Sequence, residues 1–358
     1  MEVTHSDIRI GPDRIHDDAP VWIIAELSAN HAGRLDVALE TVRAAKRAGA
    51  NAIKLQTYRA DTITLNVKNE HFKIDQGTVW DGRYLYDLYE EAHTPWEWHK
   101  ALFDEAQKEG LVCLSSPFDP TAVDLLEELN CPAYKIASFE ITDIPLIEYV
   151  ASKGKPVIIS TGIADDQDIQ RALEACKKQG NHQIVLLKCT SSYPAPIEKA
   201  NLAMIPDMRN RFGVLTGLSD HTLGTAVPVV ATSLGARVIE KHFILDKNLG
   251  GPDAGFSLDE QEFSEMVKAV RLAESALGKV DYSLDEGKIN SRAFSRSLFV
   301  TRRVEAGETI GPENIKSVRP GYGMHPRYWD VLIGKKFNTA VEAGTPLKAE
   351  MVEGFREE

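Results

Sequence analysis

Two segments, GLSDHT at 217–222 and RVIEKHF at 237–243, each bring an apolar run to a histidine, His221 and His242. Both runs have the length and the apolar content of a buried strand. If the strands are neighbours, about 5 Å apart in a sheet, the two imidazoles converge and suit one divalent metal ion. Two histidines leave coordination positions for water and substrate oxygens, which fits a catalytic site better than a structural one. Nitrogen ligands accept Mn, Fe, Co, Ni or Zn, so the pair alone leaves the metal open. A lone histidine in such a place is more often a hydrogen-bonded core residue. Two at matching strand ends point to a metal.

A second set of residues stands at the ends of other strand-like runs. It comprises Glu26, Lys54, Gln56, Ser115, Ser116, Lys135, Ser138, Glu140, Ser160 and Thr161, then Lys188, Thr190, Ser191, Tyr193, Ser219, Asp220, Glu240 and Lys241. Any single lysine here reads equally well as half of an internal ion pair. Several lysines with hydroxyls around them are harder to place, because unpaired buried charge is costly. An anionic ligand would compensate them, with hydroxyls and backbone amides around its oxygens.

The elements that must position these groups alternate along the chain. Strands are expected at 21–27, 52–57, 112–116, 133–138, 157–161, 184–190, 214–220 and 238–243. Helical patterns fall between most of them, as in LDVALETVRAAKRAG and DDQDIQRALEACKKQG, and LDEQEFSEMVKAVRLAESALG follows the eighth. Eight strands rich in Val and Ile with intervening helices give an α/β fold of the (β/α)8 barrel type, whose reacting groups gather at the C-terminal strand ends. A doubly wound sheet is the rival, but no GxGxxG follows the first strand. The opening IRIGPDRI reads as a hairpin over one barrel end. The barrel is expected over 1–280 and a polar linker over 281–290. A small β-rich domain over 291–358 follows, in which VEAGETI (304–310) and VEAGTPL (341–347) suggest pseudo-repeated hairpins.

With 358 residues, 43% hydrophobic and 26% charged, the chain is of ordinary soluble composition. A formal net charge of -12 with no basic patch argues against a nucleic-acid partner. No apolar run is long enough to span a membrane and MEVTHSDIRIGPD lacks a signal-peptide core, so a cytoplasmic enzyme is expected. Cys113, Cys131, Cys176 and Cys189 have no paired spacing and read as reduced, buried thiols.

The motifs AELSANHAG, AIKLQTY, SSPFD, YKIASFE, STG, KCTSSYPAP, GLSDHT, EKHF and GPDAGFS, in this order, resemble the sialic acid synthase family. SRSLFVTRRVEAGETI through RPGYG resembles that family's C-terminal antifreeze-like (SAF) domain, so the resemblance spans nearly the whole chain. Within the family, residues 72–98, FKIDQGTVWDGRYLYDLYEEAHTPWEW, look most like the branch that makes pseudaminic acid. The resemblance implies condensation of phosphoenolpyruvate with a 2,4-diacetamido-2,4,6-trideoxy hexose and water. An N-acetylneuraminate or legionaminic acid synthase using a mannosamine-type acceptor is the alternative, and a non-enzymatic carbohydrate-binding protein a remote one.

The resemblance also implies roles. Lys54, Ser116, Lys135, Ser138, Ser160, Ser191 and Ser219 would hold phosphoenolpyruvate, with Ser191 standing where neuraminate synthases have an asparagine. His221 and His242 would hold Mn2+ or Mg2+, with Co2+ a further candidate, and His242 and Glu26 would be catalytic, Glu26 as the acid/base group. Gln56, Glu140, Tyr193 and Asp253 would line the sugar site. Arg319 would reach in from the SAF domain of the other chain in a domain-swapped homodimer.

Overall fold

The computed structural model describes residues 7–75 and 77–357. The chain divides into two compact units, Met1–Gly278 and Lys279–Glu358.

In the first unit, strands β1 (Ile8–Ile10) and β2 (Asp13–Ile15) form the expected antiparallel hairpin. Eight parallel strands then close into a barrel: β3 (Trp22–Glu26), β4 (Ala52–Thr57), β5 (Val112–Pro117), β6 (Tyr134–Ile136), β7 (Val157–Ser160), β8 (Ile184–Cys189), β9 (Leu215–Asp220) and β10 (Val238–His242). Closure is made by β10 on β3, in a register that sets Val238 beside Trp22 and His242 beside Glu26. The eight strands fall where the apolar runs place them, with ends that differ from the expected spans by at most two residues.

Strand alternation divides the barrel's apolar side chains into two layers. Trp22, Ile24, Ala52, Val112, Leu114 and Val238 share one cluster with Ile8, Ile10 and Ile15, so the hairpin plugs the end where the strands begin. Ile23, Ala25, Ile53, Leu55 and Ile239 belong to a second cluster with helix residues such as Val42, Leu102 and Phe263. The interior is therefore filled with hydrocarbon at the strand starts, and polar side chains occupy it only at the strand ends. Asp119, Asp165 and Asp259 cap the helices that begin at Pro120, Asp166 and Glu260, each accepting from a backbone N–H of the first turn. All four cysteines are free and buried. Among the described residues no helix is long and apolar enough to cross a membrane.

In the second unit, β11 (Ser297–Val300) pairs antiparallel with β12 (Ile315–Val318) over a core of Leu298, Val300, Ile310, Ile315, Phe337 and Leu347. Two expectations are corrected here. Residues 281–290 are not wholly linker, because a helix runs from Glu286 to Arg292 with Asp285 as its N-cap, accepting from Lys288 N. The two VEAG repeats do not each close a hairpin among the described residues. They pair with one another, Val304 and Val341 exchanging N–H···O bonds of 3.0 Å.

Candidate active site

The strand registers assemble the polar ends. Glu26 pairs with Lys54 across β3 and β4, and Gln56 with Ser116 across β4 and β5. Ser219 pairs with Glu240 and Asp220 with Lys241 across β9 and β10. One residue beyond the Asp220–Lys241 pair, His221 and His242 come together with ring centroids 5.3 Å apart.

Lys54 is at the centre. Its Nζ lies 2.9 Å from Glu26 Oε2, 3.3 Å from Glu240 Oε1 and 3.2 Å from Ser116 Oγ. Lys135 Nζ lies 3.7 Å from the same Glu240 oxygen. Every one of these side chains is buried. Two ammonium groups thus face two carboxylates, which corrects the picture of unpaired lysines awaiting an anion. Lys188 and Lys241 do not join the cluster, because alternation turns them to the other face of the sheet. Lys188 donates to Cys189 O and Thr190 Oγ1, and Lys241 pairs with Asp220.

The two carboxylates are not equivalent. Burial pushes Glu26 up to about 7, with Lys54 opposing the rise and Glu240 adding to it. Burial acts on Glu240 as well, but Lys135 and Lys54 outweigh it and hold that carboxyl below its ordinary value. Near neutrality Glu240 is the fixed anion and Glu26 the group that exchanges a proton. Paired carboxyls whose environments push them apart in this way commonly divide acid and base work between them.

On one side of the cluster lie hydroxyls. Ser191 Oγ donates to Ser138 Oγ at 2.8 Å, and Ser160 Oγ is buried without a hydrogen-bond partner. Gly162, from the STG motif, leaves the room for them. A Cβ there would stand 2.2 Å from Ser191 Oγ and 2.5 Å from Ser138 Oγ, closer than atoms approach. Ser219 Oγ is 3.5 Å from Glu240 Oε1.

On the other side a polar relay leads outward. Gln56 Nε2 donates to Glu26 Oε1 and to Ser28 Oγ, both at 2.9 Å, and Ser28 Oγ donates to Asp253 Oδ2 at 2.5 Å. The relay opens on a cavity of about 420 Å3 lined by Gln56, Glu140, Tyr193, His242 and Asp253 among others. Its apolar wall includes Trp80, Phe256, Ile74, Leu85 and Leu88. Burial pushes Glu140 up to about 7. Of the three tryptophans in 72–98, only Trp80 reaches the cavity, 5.3 Å from the Tyr193 ring. Trp96 donates to Tyr58 O beneath the Arg59 guanidinium, and Trp98 packs edge-on to His31.

The histidine pair fits a metal. Thr190 O accepts from His221 Nδ1 at 3.0 Å, which fixes the tautomer and leaves Nε2 with its lone pair. His242 Nδ1 is buried without a hydrogen-bond partner, 3.8 Å from Asp253 Oδ2. Among the described residues no group of three or more His, Cys, Asp or Glu side chains converges as a ligand set.

Comparison with known proteins adds the lineage. The NeuB family profile matches residues 41–282, and the SAF domain profile residues 295–353. The chain belongs to the NeuB family. Among relatives of this NeuB chain, the pseudaminic acid synthase of Campylobacter jejuni is 50% identical over 92% of the chain and 96% of its own length. The pseudaminic acid synthase of Helicobacter pylori is 47% identical over 93% of the chain and 98% of its own length. The crystal structure of the spore coat polysaccharide biosynthesis protein SpsE of Bacillus subtilis superposes with a TM-score of 0.67 at 33% identity, covering 99% of the chain and 100% of that protein.

The structure of this NeuB chain places Glu26, Lys54, Lys135, Ser116 and Ser219 in one cluster around Glu240, and Gln56, Ser138, Glu140, Tyr193, His242 and Asp253 on the cavity. Ser191 bonds to Ser138, His221 lies against Tyr193 and His242, and Ser160 is buried without a hydrogen-bond partner. Arg319 stands exposed at the end of β12 in the second unit. Two residues were passed over. Glu240, seen only as one polar strand end among many, is the bridge between both lysines. Cys189, read only as a reduced, buried thiol, lies 3.8 Å from Ser191 Oγ and 4.0 Å from His221 Nδ1. The signal for both was parity: Glu240 shares its strand face with His242, and Cys189 shares its face with Ser191.

Proposed function

We propose that this chain condenses phosphoenolpyruvate with 2,4-diacetamido-2,4,6-trideoxy-L-altrose and water, giving pseudaminic acid and phosphate. The observation that carries the reading is the junction of two sites. A buried Lys54–Glu26–Glu240–Lys135 cluster flanked by serines opens, past the histidine pair, into an aromatic-walled cavity of about 420 Å3. The identity to pseudaminic acid synthases supports the choice of product.

Phosphoenolpyruvate lies against Lys54 and Lys135, with Ser116, Ser138, Ser160, Ser191 and Ser219 around its phosphate and carboxylate. Glu26, whose carboxyl burial lifts to about 7, is in its ionised form the group placed to accept a proton. Gln56, Glu140, Tyr193 and Asp253 orient the acceptor in the cavity. When bound at His221 and His242, a divalent cation (Mn2+ or Mg2+, with Co2+ a further candidate) supplies Lewis acidity at the acceptor's aldehyde oxygen. The methylene carbon of phosphoenolpyruvate forms the new C–C bond to the aldehyde carbon, and water adds at the middle carbon, releasing a proton to Glu26. The C–O bond to phosphate then breaks as the ketone forms. The two protons of water end on the former aldehyde oxygen and on phosphate. The lysines stabilise the departing dianion.

In 18O-labelled water the label is expected in the sugar acid and none in phosphate. Label in phosphate would show P–O cleavage and contradict this route. Changing His221 or His242 to alanine is expected to abolish turnover without unfolding the barrel, as is exhaustive chelation. Full activity after chelation would remove the metal from the account.

The reading extends to assembly. Phe139, Ile163, Ile197, Leu223 and Leu249, from the loops after β6 to β10, stand exposed. They make an apolar rim that a second copy's C-terminal unit would cover, bringing its Arg319 to the acceptor. Chains carrying His221→Ala and chains carrying Arg319→Ala, mixed under subunit exchange, then yield one intact site per mixed dimer. Recovery of about a quarter of wild-type activity is expected for random pairing in a C2 dimer. No recovery means that Arg319 acts, if at all, within its own chain.

A further inference from the structure

We infer that the buried Asp220–Lys241 ion pair is a clamp that positions His221 and His242 for metal binding. The inference rests on the proposal that these two histidines hold the cation.

The pair stands behind the site, on the sheet face opposite the lysine cluster. Lys241 is fully buried, and its Nζ lies 2.5 Å from Asp220 Oδ2 and also donates to Thr222 O. Asp220 Oδ1 in turn accepts from Thr222 N at 2.9 Å and from Thr222 Oγ1 at 2.8 Å. Both chain neighbours of His221, Asp220 and Thr222, are therefore tied to Lys241, which directly precedes His242. The backbone turn that carries one imidazole is thus fastened to the strand that carries the other. Closer to the strand starts, β9 and β10 are held by packing. A Cβ on Gly217 would stand 2.2 Å from Val238 O, so the two strands have no slack there. Past the end of β9 the ladder stops, and the ion pair takes over the spacing.

Energetics favour a positioning role over a stabilising one. A fully buried ion pair is desolvated at a cost that its attraction roughly repays, and apolar substitutes of similar volume are often neutral or better for stability. What a paired, multiply hydrogen-bonded group adds is a fixed geometry. Groups behind metal ligands commonly alter affinity by 10- to 100-fold.

The test is Mn2+ binding to the full-length protein, followed by the electron paramagnetic resonance signal of free Mn2+. Asp220→Asn/Lys241→Met keeps a side-chain acceptor for the Thr222 turn but severs the link between strands. It is expected to retain the parent's circular dichroism and melting temperature and to bind Mn2+ at least 10-fold more weakly. Lys241→Arg, which keeps the charge, is expected to stay within about threefold of the parent. Asp220→Asn alone removes the charge partner of Lys241 but keeps an acceptor for Thr222, and should weaken binding about three- to fivefold. It carries the test if the double variant does not fold. A double variant, or in that event an Asp220→Asn chain, that binds as tightly as the parent overturns the clamp while leaving the histidine site intact. A parent chain that binds no Mn2+ overturns clamp and metal site together.

Discussion

Replacing Glu26 with glutamine is expected to lower kcat by about 10^2- to 10^4-fold, the range a positioned acid/base group contributes. Glutamine keeps the shape and an acceptor for the Gln56 amide, but it cannot take the proton of the adding water. The same group sets the pH dependence. Because burial lifts the Glu26 carboxyl to about 7, protonation removes the base as pH falls through that value. kcat/KM for phosphoenolpyruvate, which reports the free enzyme, is expected to fall about tenfold per unit on the acid side. Glu26→Gln should lack this limb. Glu140→Gln should keep it, although burial lifts Glu140 to about 7 as well, because Glu140 lines the cavity and does not touch Lys54. A limb that survives in Glu26→Gln and disappears in Glu140→Gln would reverse the two roles.

The second large effect is expected for Lys54→Met. Lys54 contacts Glu26, Glu240 and Ser116 at once, so its loss leaves two buried carboxylates facing each other with only Lys135 nearby. Breaking a buried ion cluster by removing one partner costs about 3–5 kcal/mol. That should appear as a lower midpoint for the barrel's unfolding transition. Part of the cost is relieved by protonating a carboxylate, so the variant should lose less stability at pH 5 than at pH 8. Binding of phosphoenolpyruvate should fall at least 10^3-fold, because the anion loses a cation and meets an unbalanced pair of carboxylates. A variant with near-normal KM for phosphoenolpyruvate would move the donor site elsewhere.

Much of the site was legible in the sequence because a closed parallel barrel reduces location to one rule: polar residues at strand ends face the mouth. The rule puts Glu26, Lys54, Lys135, His221 and His242 at one mouth, and the histidine pair needs only that the last two strands are neighbours. It overreached at Lys188 and Lys241 because strand ends have two faces and the alternation was not applied. Counting from His242 puts Glu240 on its face and Lys241 on the other, and the structure follows that count. The tryptophans illustrate a different limit. Trp80, Trp96 and Trp98 look alike in sequence, but only Trp80 sits on the loop that closes the cavity; Trp96 and Trp98 belong to the helix Trp96–Glu109. Which indole faces a ligand depends on how 60 to 92 fold over the mouth, and no local pattern encodes that. The pairing of the VEAG repeats with each other was hidden for the same reason, since a contact between residues 304 and 341 has no signature at either one.

The central claim is the identity of the acceptor, and steady-state phosphate release tests it most directly. The chain is supplied with phosphoenolpyruvate and either 2,4-diacetamido-2,4,6-trideoxy-L-altrose or N-acetylmannosamine. The cavity wall includes Ile74, Trp80, Leu85 and Leu88, apolar surface of the kind a 6-deoxy methyl and a second acetamido group would pack against. A methyl-sized apolar contact contributes about 10- to 200-fold, and leaving a hydroxyl unpaired adds to it. The diacetamido sugar is therefore expected to be preferred by at least about 10^2-fold in kcat/KM, with no phosphate released when sugar is absent. A preference for N-acetylmannosamine, or phosphate release without any sugar, would contradict the account.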